Sequence, residues 1–455
     1  MARRRARVAA PIPVPDRRLR RAPAALALGA ALLVAACTTT PTTGNGSGTT
    51  STTATSGSTP AGTTPGTEAP SPLPPVDEAA VQAAFDAAAG ELLTPGAAMT
   101  LVTPDGTSTF TYGTADWAGT RPVSADDHIR IGSVTKTWTA TVILQMVQEG
   151  VLTLGDPVSA YMPDVPNGDA ITIEQLLSMR SGLYNYTADP DLSAAMDADP
   201  QRAWRPDELL DIAFAHEPVA SPGERFDYSN TNTVLLGLIA EQLDGNPLEL
   251  IFEDRIFAPL GLDATSFPAI TSSAIADPHA DGYMFGTNVS TIETAALPPE
   301  ELASAEAGTL QPTDFTNANP SWAWSAGAGM SVIDDLVVWA QALTGDHDAI
   351  LDADTTRERL DSIRPMSDEN PDVGYGWGLA RFGPMYGHTG ELPGYNTFMA
   401  NDPVHHVTLV VWANLAPDPT GVPPATTIAR ALIPLIYGGG AGGEDVDQEG
   451  AGASL

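Results

Sequence analysis

The spacing of apolar residues changes along the chain, and each change predicts an element. Residues 76–93 repeat Ala and other apolar residues at helical spacing. Two short runs, 97–102 and 108–112, flank Thr103-Pro104-Asp105-Gly106, a turn composition, and predict a β-hairpin. Residues 134–149 are apolar nearly all round, with Trp138, Val142, Ile143, Leu144, Met146 and Val147. A helix without a polar face belongs in a core. From there to about residue 319 the pattern reads as helices separated by Pro/Gly loops. Strands return over 394–400 and 406–414, and an amphipathic helix over 426–436 closes the pattern. Strands and a helix, then helices, then strands and a helix predict an α/β (α+β) fold. Its antiparallel sheet would be completed by both ends of the chain and flanked by helices, with an all-helical part at about 150–320 inserted.

The ends of the chain follow other rules. Residues 1–36 read as an export signal, with eight Arg in a basic region followed by an apolar run over 24–36. That run is too short to span a bilayer comfortably. It ends in Val34-Ala35-Ala36-Cys37, which resembles the bacterial lipobox, so Cys37 is expected to carry lipid and become the mature N-terminus. Arg17-Arg18 leaves the export route, general or twin-arginine, open. Residues 37–75 are nearly all Thr, Ser, Gly, Pro and Ala, a tether composition, and 438–455 is a Gly-rich acidic tail. The globular part is therefore expected over 76–437, outside the cell membrane and anchored to its outer face.

Charge narrows the partners. The net charge is −35, and removing residues 1–36, which carry +7, leaves −42. Such a surface repels polyphosphate, so nucleic acid is excluded as a partner. Cys37 is the only cysteine, which excludes an intramolecular disulfide and a cysteine-based metal site. No metal, cofactor or obligate protein partner is expected.

Of the 21 basic residues, 20 are Arg and one is Lys136. Guanidinium keeps its proton in proteins, so a lone Lys among Arg suggests a need for a neutral amine. Lys136 lies three residues after Ser133 at the start of the buried helix, so the two side chains share a face. A serine hydroxyl needs a base to become a nucleophile, and a buried lysine can supply one. Asp227-Tyr228-Ser229-Asn230 occupies a polar turn before an apolar helix, and offers a phenol and an amide. Tyr386-Gly387-His388-Thr389-Gly390 precedes a strand, and its glycines let a backbone edge approach a ligand closely.

Serine-x-x-lysine, Tyr-x-Asn and His-Thr-Gly occur in the order found in the penicillin-recognising serine hydrolases. The chain resembles the class C β-lactamase/DD-peptidase family over about 76–437, nearest its secreted Streptomyces D-alanyl-D-alanine carboxypeptidase/transpeptidase branch. The likeness extends to Ser181-Gly182-Leu183-Tyr184-Asn185-Tyr186-Thr187, Ile256-Phe257-Ala258-Pro259-Leu260, His279-Ala280-Asp281-Gly282-Tyr283 and Ser321-Trp322-Ala323-Trp324-Ser325-Ala326. The resemblance implies a β-lactamase/transpeptidase-like fold and an acyl-enzyme on Ser133. Lys136 and Tyr228 would handle its proton and later activate water. Asn230 and Thr389 would hold the substrate backbone and its C-terminal carboxylate. The backbone N–H groups of Ser133 and Glu391, which follows Gly390, would form the oxyanion hole, and Trp322 would line the cleft.

Two departures are visible. Most of the family has Lys where this chain has His388, and His leans toward a peptidase with a titrating cation beside the carboxylate. The DD-peptidase branch also has an Arg on the preceding strand. Here Ala380 falls at that position and Arg381 one residue on, so either a bulge restores the contact or the contact is weaker. The implied activity is a D-alanyl-D-alanine carboxypeptidase acting on peptidoglycan stem peptides. An esterase or a lactam-hydrolysing enzyme is the alternative within the class, and an inactive wall-binding lipoprotein is the alternative outside it.

Overall fold

A computed structural model describes residues 72–345, 350–367 and 370–438. The expected signal segment, Cys37, nearly all of the tether and the acidic tail lie outside these residues.

Helix α1 (Glu78–Glu91) starts at Asp77, whose side chain accepts hydrogen bonds from the backbone N–H groups of Ala79 and Ala80. It leads into the hairpin of β1 (Gly96–Thr103) and β2 (Gly106–Gly113). Helix α2 (Thr135–Gln148) follows a 3-10 turn at Gly132–Val134. Helix α3 (Asn230–Asp244) ends at Gly245 in the left-handed conformation, and α4 (Ile333–Ala342) returns the chain to the sheet. Six strands follow: β3 (Arg364–Pro365), β4 (Val373–Tyr375), β5 (Ala380–Phe382), β6 (Met385–Leu392), β7 (Tyr395–Asp402) and β8 (Val407–Ala413). Helix α5 (Pro424–Ile436) begins with Pro at its first position, where a missing N–H costs nothing.

One antiparallel eight-stranded sheet has the order β2-β1-β8-β7-β6-β5-β4-β3, so the N-terminal hairpin joins the C-terminal strands through β1 and β8. Alternation divides the sheet into two apolar faces. Val407, Leu409 and Val411 pack with α1 and α5, whereas Val410, Trp412 and Met399 pack with the cluster around α2 and α3. Residues of α2, α3 and the shorter helices between them share that second cluster, while Tyr283, Phe285 and Ala305 form a smaller one with Leu415. The inserted part is not all-helical as expected, because Tyr283–Met284 pairs antiparallel with Thr313–Asp314. Trp138, Val142, Ile143 and Leu144 of α2 are all buried there, as its all-round apolar pattern requires.

Candidate active site

Ser133 sits in the 3-10 turn where α2 begins, and β6 runs beside that turn. Gly132 has a φ of +53°, and a Cβ there would lie 2.5 Å from the Glu391 nitrogen. A Cβ on Gly390 would collide with the Ile131 carbonyl. The two glycines thus bring the backbone of Ser133 against the backbone of Gly390–Glu391. Pairing of β5 with β6 covers only Met385–Gly387, so beyond Gly387 this side of β6 faces the Ser133 turn and not β5. The His-Thr-Gly motif therefore lies within a strand, not before one. Its glycines lower the apparent strand propensity and give it the look of a loop.

Lys136 is buried, and its Nζ lies 2.9 Å from Ser133 Oγ and 2.7 Å from the Ala326 carbonyl, to which it donates. Burial pushes its pKa well below the ordinary lysine value, which makes the neutral amine accessible. A neutral amine can donate to Ala326 and accept from Ser133 at the same time. Tyr228 stands in the turn before α3, and Lys136 Nζ is 5.0 Å from its ring centroid. The Tyr228 hydroxyl is buried and interacts with Ser133, but completes no well-formed hydrogen bond among the described residues. Burial drives its pKa up, so the phenol keeps its proton at neutral pH. The opposite shifts separate the roles chemically: Lys136 can accept a proton, and Tyr228 can donate or relay one.

Asn230 opens α3. Its backbone N–H donates 3.0 Å to Asn185 Oδ1 and its side-chain amide donates 3.0 Å to Thr187 Oγ1. That contact leaves the amide oxygen able to accept from a substrate amide. Thr389 is nearly buried on β6, on the strand that faces the Ser133 turn. Trp322 lies in the segment that runs on to Ala326, and its carbonyl accepts 2.8 Å from the Tyr186 hydroxyl.

His388 and Arg381 depart from expectation. His388 is fully buried, with Nδ1 2.5 Å from the Thr389 carbonyl and Nε2 3.1 Å from the Tyr375 hydroxyl. Burial and the nearby Lys136 lower its pKa to about 3, so it is neutral at physiological pH and offers no titrating cation. Arg381 pairs with Tyr386 along β5, and its guanidinium donates 2.9 Å to the Pro371 carbonyl. No bulge returns it to the site: Ala380, its neighbour, is the residue packed with Tyr375.

Sequence reasoning missed three participants. Ala326 offers only a carbonyl. Arg359 sits on a polar helix, yet it is fully buried and donates to the Trp377 and Gly378 carbonyls and to Thr141 Oγ1. Tyr375 did carry a signal, since the alternating glycines of Gly374-Tyr375-Gly376-Trp377-Gly378 mark close packing around two aromatic rings.

Comparison with known proteins places the chain. Residues 81–432 match the sequence profile of the family described as Beta-lactamase. A penicillin-binding protein of Bacillus subtilis is 27% identical over 314 residues, 68% of this chain and 65% of that protein. Protein flp of Staphylococcus aureus is 27% identical over 67% of this chain and 56% of its own length. The matches thus span less than two thirds of these curated relatives. Among solved structures, a D-stereospecific amidohydrolase from Streptomyces sp. is 31% identical with a TM-score of 0.66, covering 80% of this chain and all of that one (100%). The D-amino acid amidase of Ochrobactrum anthropi complexed with D-phenylalanine is 26% identical with a TM-score of 0.67, covering 80% and 99%.

Proposed function

The chain belongs to the Beta-lactamase family of serine hydrolases, and from that premise we propose that it hydrolyses amide bonds of D-amino acid residues through an acyl-enzyme on Ser133. The observation that carries the reading is the 2.9 Å contact between Ser133 Oγ and a buried Lys136 whose pKa is pushed down. Lys136 takes the hydroxyl proton as Oγ bonds to the substrate carbonyl carbon. The N–H groups of Ser133 and Glu391 stabilise the oxyanion of the tetrahedral intermediate. The C–N bond then breaks, and the leaving amine receives its proton from Lys136 through Tyr228. Water attacks the acyl-enzyme ester by the same route in reverse, and Ser133 regains its proton. Asn230 accepts from the substrate amide, and the substrate backbone lies along β6 at Thr389.

Two forms of this activity fit. A D-alanyl-D-alanine carboxypeptidase on cell-wall peptides needs a donor or cation for the C-terminal carboxylate at Thr389. Neither His388, which is neutral, nor Arg381, which donates to Pro371, supplies a cation there. An uncharged leaving group needs none, so this observation favours a D-amino acid amide over a D-Ala-D-Ala peptide. The names of the D-stereospecific structural neighbours support the same side. The protein would work outside the cell membrane, held there by lipid on Cys37.

A fluorescent penicillin and three substrates test the reading. Wild-type protein should be labelled at Ser133 and should turn over a D-amino acid amide faster than a D-Ala-D-Ala tripeptide, with the L-amide refused. Faster tripeptide turnover restores the carboxypeptidase form. Turnover of a nitrophenyl ester alone replaces both forms with an esterase, and absence of labelling overturns the acyl-enzyme.

A further inference from the structure

His388, Tyr375 and Arg359 form a buried polar group that the reaction above does not use. The hydrogen bonds fix the protons. A carbonyl only accepts, so the 2.5 Å contact to Thr389 places a proton on His388 Nδ1. In a neutral imidazole Nε2 is then an acceptor, so the Tyr375 hydroxyl, 3.1 Å away, donates to it. Tyr375 is itself fully buried, and burial holds its pKa well above 10, so it keeps the proton it donates. Its ring meets His388 edge-on at 5.6 Å and Tyr228 edge-on at 6.2 Å, which fixes its orientation from two sides.

The groups that oppose a charge on His388, Lys136 only when it is protonated, come from two elements. Lys136 on α2 and Arg359 on the helix Ala353–Asp361 both oppose a positive imidazole. Arg359 remains a cation at neutral pH, with its pKa lowered by burial only to about 10. It ties the Trp377 and Gly378 carbonyls to Thr141 on α2, and so fixes the loop after Tyr375 against the Lys136 helix. Tyr228 packs against the group as a neutral phenol.

We infer that Tyr375 is a positioning residue: by donating to His388 Nε2 it holds His388 as a neutral Nδ1–H brace on the Thr389 carbonyl, which sets the strand edge against Ser133. The chain of contacts is continuous. Tyr375 holds His388, His388 holds the Thr389 carbonyl, and the Gly390 and Glu391 backbone that follows abuts Gly132 and Ser133. His388 thus stands where most of the family has a cation and does a different task, aligning the oxyanion-binding backbone. The activity arm of the inference rests on the proposed acyl-enzyme; the proton assignment does not.

The test has two arms on the full chain. Long-range 1H–15N spectra of histidine-labelled protein, with His388 assigned among the seven histidines through His388→Gln, should show Nδ1 protonated and Nε2 bare near neutral pH. Tyr375→Phe keeps the ring packing and removes the hydroxyl that Nε2 faces, so the Nε2 signal and the His388 pKa should both shift. In the second arm, Tyr375→Phe should lower kcat for the best substrate roughly 10-fold with KM little changed, the size of one lost hydrogen bond in the transition state. His388→Gln, whose amide keeps both a donor group and an acceptor, should keep more activity than His388→Lys, which has donors only. A protonated Nε2 in the wild type, an unchanged His388 pKa in Tyr375→Phe, or Lys outperforming Gln overturns the inference. If no substrate is turned over, the proposed function fails and the spectra still decide the brace.

Discussion

Lys136 concentrates the residue-scale argument. Its amine must be neutral to take the Ser133 proton, and burial is what lowers its pKa. Lys136→Arg should therefore lower kcat/KM about as much as Ser133→Ala, roughly 10³-fold or more, because guanidinium cannot accept the proton. Penicillin labelling and ester turnover measure both variants, and a Lys136→Arg protein with most of the wild-type rate would return Lys136 to a plain charge partner. His388 gives a prediction with a sign that can be worked out. Its folded pKa is about 3, while an unfolded histidine titrates near 6.5. The unfolded state binds the proton first, so this contribution to stability is fully present above about pH 6.5 and is lost as pH falls toward about 3, on the order of a few kcal/mol. Urea unfolding of wild type and His388→Gln at several pH values between these limits should show a shallower acid loss in the variant. Equal slopes would mean that His388 is not buried neutral.

At the scale of elements, the site depends on a backbone-to-backbone contact between the Ser133 turn and β6. Gly390 permits it, since a Cβ there would run into the Ile131 carbonyl. Gly390→Ala should cost roughly 1–3 kcal/mol by overpacking and should reduce acylation further, because it moves Glu391 away from Ser133. Gly155→Ala, where a Cβ meets no atom within 4 Å, is the control. Denaturant midpoints together with penicillin labelling separate the two effects, and a stable, fully labelled Gly390→Ala would show that the close approach is dispensable. This contact was only half legible in the sequence. Helices α1, α2 and α5 and the β1–β2 hairpin announce themselves by period, because one buried face or an all-buried surface leaves a repeat. Strand β6 does not, since Gly387 and Gly390 break the repeat where the backbone must come close. That Ser133, Lys136 and Tyr228 come together was readable because residue type and helical spacing already point to it. The state of His388 and the direction of Arg381 were not, because burial and one strand's register decide them and neither leaves a local pattern. Arg359 is the extreme case: a charged residue in an Arg-Glu-Arg stretch reads as solvent-facing, and only the packing of a distant loop buries it.

At the scale of the whole molecule, charge and attachment have to be considered together. Without residues 1–36 the chain carries −42, counted from 13 basic and 55 acidic residues. A protein of that charge is repelled by anionic lipid headgroups, so electrostatic adsorption cannot hold it at a bacterial membrane. Among the described residues no helix is long and apolar enough to cross one. The proposed location is argued from Cys37: a diacylglycerol on this thiol, with a further acyl chain where the amine is modified, would give the two or more chains that stable anchoring takes. The two modes of attachment respond in opposite ways to salt. Screening weakens any ionic contact but strengthens apolar partition slightly, so the wild-type protein should stay in the membrane pellet through a wash at roughly 1 M salt, where the Debye length falls to about 3 Å. Detergent should release it. Cys37→Ala should appear in the medium or as unprocessed precursor, with Ser133 still labelled by penicillin in the released form, because the proposed lipid site is 96 positions before Ser133 in the sequence. A processed Cys37→Ala protein that remained in the pellet through salt and left it only with detergent would rule out the lipid on Cys37 and require another means of attachment.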